Sequence, residues 1–197
     1  MIDATRNKFT SRLRRLIPRS LARRFVRRQD GSAAVEFAMV AAPFLALTFA
    51  ILETAMVFFA GQTLEAAAGD SARLIMTGQA QTAGYSQADF KTQVCNRIYG
   101  LFDCSGGMTV SVKSYSSFSA VDTSSPITNS ALDTTKTNFY IPGGPSCIVV
   151  VSLYYQWPIY VTMFSLSSLG NLSGNKRLLV ATSVFRNEPY GGSGACS

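Results

Sequence analysis

The chain reads as an α+β protein, a long N-terminal helix packed on a small, mostly antiparallel β-sheet domain. Three features of the 197-residue sequence carry that reading. Residues 32–60 are almost continuously apolar, and residues 61–80 continue at helical spacing in a more soluble form. From residue 108 the apolar pattern changes to alternation and β-branched runs. No helical crossover separates the later strands, so antiparallel pairing is expected.

The net charge of +7 is unevenly placed. Residues 1–30 carry ten of the eighteen Lys and Arg and two of the eleven acids, and the remainder is nearly neutral. The basicity therefore belongs to an N-terminal flank, residues 1–31, and the domain offers no basic face for nucleic acid. Leu13, Leu16, Ile17 and Leu21 recur among the arginines, but Pro18 limits them to short amphipathic turns. A basic flank directly before an apolar helix fixes topology, with the N-terminus cytoplasmic. The rival reading is a basic arm that binds nucleic acid.

Residues 32–60 are the transmembrane candidate. Only Ser32, Glu36, Pro43, Thr48, Glu53 and Thr54 are not apolar there. A helix of this length runs about 43 Å, against a hydrocarbon core of about 30 Å. With residues 34–53 in the core, Glu36 lies near the cytoplasmic face and Glu53 near the far face. An intramembrane carboxylate costs roughly 2.5–3.5 kcal/mol at the centre and less near an interface, so each acid calls for a partner. Snorkelling arginines or a new α-amino group at Ser32 would serve Glu36. Pro43 deprives the Met39 carbonyl of its helical partner and predicts a kink.

Residues 61–80 extend the helix, with Leu64, Ala67, Ala68, Ser71, Leu74 and Ile75 forming the stripe that packs on the exported domain. Residues 81–197 are that domain. A second helix is expected over 86–101, from Phe90, Val94, Ile98 and Leu101, with Ser86 as its cap. Met108–Tyr115 alternates as a half-buried strand, and Ser105-Gly106-Gly107 before it reads as a turn. Residues 116–146, rich in Ser, Thr, Asn, Pro and Gly, read as a long loop with little regular structure. Ile148–Tyr155 reads as the central strand, bent or ended at Trp157-Pro158, and Lys176–Arg186 as the last.

The chain has no histidine, which removes Ser-His-Asp and Cys-His catalysis. No CxxC pair occurs, and no metal, cofactor or small-molecule substrate is expected. The Gly170–Lys176 stretch lacks the phosphate-loop spacing. Cys95, Cys104, Cys147 and Cys196 all follow the apolar helix, as disulfides in an oxidising compartment would. Four cysteines allow three pairings. Cys95 with Cys104 is the local choice, Cys147 with Cys196 would tie the tail to the central strand, and one bridge with two free thiols is the alternative.

Gly31-Ser32-Ala33-Ala34-Val35-Glu36-Phe37-Ala38 and the apolar helix after it resemble a type IV prepilin cleavage motif. With Pro43 and Ile51-Leu52-Glu53, the stretch resembles the TadE-like pseudopilins of tight-adherence (Tad/Flp) pilus systems. Ala181–Tyr190, with Arg186, Asn187, Glu188 and Pro189, resembles the end of the same family. The resemblance implies a pilin-like fold and a minor pilin or pseudopilin in the bacterial inner membrane, spanning it once. Its C-terminal domain would be periplasmic or extracellular, and its role assembly without catalysis. It also implies a prepilin peptidase cutting between Gly31 and Ser32, with Glu36, beside Phe37, pairing with the free amine of a neighbouring subunit. The partners implied are other pilins and the assembly platform. An uncleaved single-pass scaffold of the pilus machinery is the alternative, and a membrane-anchored exported enzyme a more distant one.

Overall fold

The computed structural model describes residues 31–98, 100, 102–104, 106–160 and 170–196. The basic flank 1–30, the expected helix end at Leu101 and the turn residue Ser105 lie outside them.

The first element is the 45-residue helix α1, Ser32–Met76, which continues through Pro43. The chain divides into two compact units between Leu47 and Thr48. In the second unit follow α2 (Gln79–Thr82), α3 (Gln87–Cys95), β1 (Met108–Tyr115) and a 3-10 turn at Phe118–Ala120. Then come β2 (Ile127–Thr128), β3 (Ala131–Leu132), α4 (Thr134–Thr137), β4 (Ile148–Pro158) and β5 (Lys176–Arg186). The fold is α+β, a long apolar helix followed by a small antiparallel sheet domain.

The main sheet has the order β1-β4-β5, antiparallel throughout, with Val151 opposite both Val112 and Ser183. Continuous β-branched sequence puts β4 at the centre, where both faces are covered. Val149, Val151, Leu153, Tyr155 and Trp157 alternate onto the core face, together with Val110 and Val112 of β1 and Leu179 and Ala181 of β5. Ala60, Leu64, Ala67, Ala68, Ala72 and Ile75 of α1 belong to the same core, and their small side chains let helix and sheet approach closely. Each large side chain buried here, such as Leu64 or Ile75, contributes about 1.5–3 kcal/mol.

Helix and sheet meet at two main-chain ties. The amide of Tyr160, just past β4, donates to the Glu53 carboxylate. The amide of Glu188, just past β5, donates to the Met76 carbonyl at 2.9 Å. Glu53 and Met76 are about 35 Å apart at about 1.5 Å per residue, and an eleven-residue strand runs about 36 Å. One length of α1 thus matches one length of sheet.

Two expectations need correction. The second helix stops at Cys95, not Leu101, because the chain turns through Asn96 to allow the Cys95–Cys104 bridge and Gly100 takes a positive φ. Ser86 is its cap, in a reciprocal box with Asp89. Residues 116–146 are also more ordered than an open loop. They hold the β2–β3 hairpin and α4, and Ile127 and Leu132 pack with Tyr154, Leu172 and Leu178 on the second face of the sheet. Phe139–Ile141 adds a parallel bridge along β1, where Val112 donates to Phe139 and accepts from Ile141 at 2.8 Å each. β1 is therefore covered beyond its alternating half, and Ser111 and Ser114 are buried along with Val110 and Val112. Lys113 closes over the Phe139 ring, 4.1 Å from its centroid.

Candidate assembly residues and the domain clasp

In the first unit, α1 opens at Ser32, whose hydroxyl donates to the Glu36 carboxylate at 2.8 Å. A spacing of four residues stacks the two on one helix face. Gly31 precedes them with open space where a Cβ would stand, so packing does not demand glycine there. Phe37 is 75% exposed, and Val35, Met39, Val40 and Phe44 are exposed around it. α1 is long and apolar enough to cross a membrane.

Glu53 lies in the second unit and is engaged by the Tyr160 amide, so it helps hold the domain on its helix. Glu36 and Glu53 are separate features: one sits a turn past the start of α1, the other where β4 ends.

The terminal residues of the sheet form a clasp. The buried Asn187 amide group donates to the carbonyls of Pro142 (3.0 Å) and Gly144 (2.9 Å). The Asn187 main chain donates to Cys147 and accepts from the Ser146 amide, and the Arg186 Nε donates to the Ser146 carbonyl at 3.0 Å. Glu188 ties to Met76, and the ring of Tyr190 lies against Gly78. Gly78 has φ +76°, and a Cβ there would come within 2.5 Å of that ring, so only glycine fits. The Gln81 side-chain amide donates to Ile75, Pro142 and Gly143, joining the end of α1 to the same loop. Burial pushes the Tyr190 phenol upward, against the hydrogen bonds with Gln81 and Asn187. Arg186, Asn187 and Glu188 thus act together on the fold, with Pro189 between Glu188 and Tyr190. Gln81 carries no signal in the sequence, Gly78 only that of a helix end and Tyr160 only that of an aromatic packing the sheet or lining an interface. Their partners here lie too far along the chain to be read locally.

Both candidate bridges are formed, Cys95–Cys104 at one end of α3 and Cys147–Cys196 at the clasp, and the described residues hold no free cysteine. Among the described residues no three acids or cysteines gather as a metal site would need. The acids instead serve the main chain. Asp89 is held below the usual carboxylate range by the Ser86 hydroxyl and amide, and Asp133 by the hydroxyls of Thr135 and Thr128. The Tyr140 phenol, tilted against Phe90, is pushed up to about 12 by burial. A polar cleft of about 50 Å³ between Lys113, Asp122 and Lys136 is well below the several hundred Å³ of a typical ligand pocket.

Residues 31–73 match the family model of TadE-like proteins. This segment is TadE-like. It contains Gly31, Ser32, Glu36, Phe37, Pro43 and Glu53 and ends three residues before α1 does. No curated protein and no solved structure matches the chain. The TadE-like proteins are a pilus-associated structural family, and the match covers most of α1 and none of the sheet domain. The match does not reach residues 186–190, so their resemblance to the family's end rests on the sequence alone.

Proposed function

We propose that the chain is a minor pilin or pseudopilin that acts in assembling a tight-adherence pilus. Residues 32–60 anchor it in the bacterial inner membrane, with residues 1–31 cytoplasmic and residues 81–197 exported. Residues 61–80 carry the stripe that seats the domain. A prepilin peptidase cuts between Gly31 and Ser32, and Glu36 then pairs in lipid with the new amine of a neighbouring subunit. Pro43 bends the helix within the anchor.

The observation that most supports this reading is Glu36, one turn past the start of an exposed apolar helix within the TadE-like segment. Ser32, four residues away, already hydrogen-bonds to it, so a new amine would arise one turn from the carboxylate. Glu36→Ala is expected to lower assembled pili by about tenfold or more, since removing one partner of a desolvated charge pair costs roughly 2 kcal/mol or more. Normal pilus yield in that variant would refute the role. Mass spectrometry of the chain from native membranes addresses the cut: a start at Ser32 is expected, and retention of residues 1–31 would mean an uncleaved scaffold.

A further inference from the structure

The exposed apolar surface of α1 does not stop at Glu53. Phe58 is 71% and Phe59 60% exposed, so the apolar belt runs one to two turns further. A carboxylate inside that belt is costly without a partner, and the Tyr160 amide supplies one. The same hydrogen bond brings the end of β4 to the depth of Glu53. Tyr160 is there 79% exposed. On the neighbouring strand Lys176 pairs with Pro158 and Arg177 with Trp157. Aromatic rings beside lysine and arginine, at the edge of an apolar helix, form the composition that settles at a membrane–water interface. A cavity of about 400 Å³ lies at this end, lined by Val57, Phe58 and Gly61 of α1 and by Arg177 and Leu179 of β5. It combines an apolar wall with the Arg177 guanidinium, and Thr54, Gln62 and the Glu65 carboxylate complete its lining.

We propose that this end of the domain is a phospholipid-contact surface. Tyr160 and Phe58 sit in the interfacial layer of the outward-facing leaflet, and Lys176 and Arg177 meet lipid phosphates. The cavity takes an acyl segment, and Glu53 holds the sheet at that depth. The proposal rests on α1 spanning the bilayer. The domain would then lie against the membrane instead of swinging free on its helix.

The test uses the single tryptophan of the chain, Trp157. In a Trp157→Phe background, one reporter is introduced at a time in the full chain: Tyr160→Trp, Phe49→Trp within the belt, and Phe118→Trp in the turn after β1. Each is reconstituted in phosphatidylethanolamine–phosphatidylglycerol vesicles containing lipids brominated either near the headgroup or near the chain end. Phe49→Trp should be quenched strongly and Phe118→Trp not at all. Tyr160→Trp should be quenched severalfold more by the shallow bromines than by the deep ones. Should Tyr160→Trp fail to fold, Lys176→Trp reports from the adjacent strand with the same expectation. If the reporter at 160 or 176 is as unquenched as Phe118→Trp while Phe49→Trp is quenched, α1 spans and the lipid-contact surface is refuted. If Phe49→Trp is also unquenched, the spanning reading fails and the proposal falls with it.

Discussion

Asn187 occupies a position where three stretches of chain meet: the end of β5, the loop 142–144 and the start of β4. Its amide group donates to two carbonyls that lie 43 and 45 residues away in sequence. Removing it takes the shorter hydrogen bond from each carbonyl, leaving Pro142 with the Gln81 amide at 3.3 Å and Gly144 with the Cys147 amide at 3.4 Å. A weakened buried acceptor costs about 1–3 kcal/mol. Asn187→Ala is therefore expected to lower stability by about 2–3 kcal/mol, read from denaturant unfolding of the full chain in detergent. Asn187→Asp should be at least as harmful at neutral pH, because a carboxylate would face carbonyl oxygens. Gly78 makes a complementary case. Gly78→Ala must place a methyl into the Tyr190 ring at a positive φ, and strain of that kind costs of order 1–3 kcal/mol. Adding Tyr190→Ala to Gly78→Ala should recover the clash but not the backbone strain. Sequence reading reached Asn187 only through its family resemblance, since its partners are too distant for any local pattern to reveal.

Elements whose cause is local were legible, and those held by distant chain were not. The apolar run of α1, the β-branched run of β4 and the alternation of β5 each contain their own reason in consecutive residues. The Ser86 cap was legible on the same ground. The hairpin β2–β3 consists of two-residue strands, and the bridge at Tyr140 exists because the edge of β1 stands open beside it. Neither has a period to read. The candidate site divides in the same way: Gly31, Ser32 and Glu36 stood out in sequence, whereas the Glu53–Tyr160 tie joins residues 107 apart. The cap of α3 permits a test. Ser86→Ala should cost about 1 kcal/mol of stability, the usual price of a lost helix cap. Asp89 titrates below its ordinary value of 3.8 because Ser86 bonds its charged form. A folded-state value below the unfolded one adds stability above about pH 4, which is lost as pH falls through the depressed value. Titration followed by the chemical shift of the Ser86 amide should give a midpoint under 3.8. Ser86→Ala should move that midpoint upward.

The domain is closed at two levels, by hydrogen bonds at either end of its helix and by two covalent loops. The loops differ in reach. Cys95–Cys104 closes a separation of 9 residues beside α3, while Cys147–Cys196 closes 49 and contains β5 together with Arg186, Asn187, Glu188 and Tyr190 of the clasp. On loop-entropy grounds the bridges contribute about 3 and about 4 kcal/mol, so paired replacement by alanine should cost more at Cys147 and Cys196. The stronger test is coupling. Asn187 lies inside the larger loop, and its main chain donates to Cys147 itself. Opening that bridge frees the strand end that Asn187 holds, so the two losses share one structural event and should not add. Contacting sites of this kind show interaction energies of about 0.5–3 kcal/mol, whereas sites without shared partners add within about 0.5 kcal/mol. Unfolding free energies are therefore needed for Asn187→Ala alone, with Cys147 and Cys196 replaced, and with Cys95 and Cys104 replaced. The first combination should fall short of the sum by 0.5 kcal/mol or more, and the second should match it. Additivity in both would mean that the terminal motif stabilises β5 independently of the bridge, and that the clasp is not one cooperative unit.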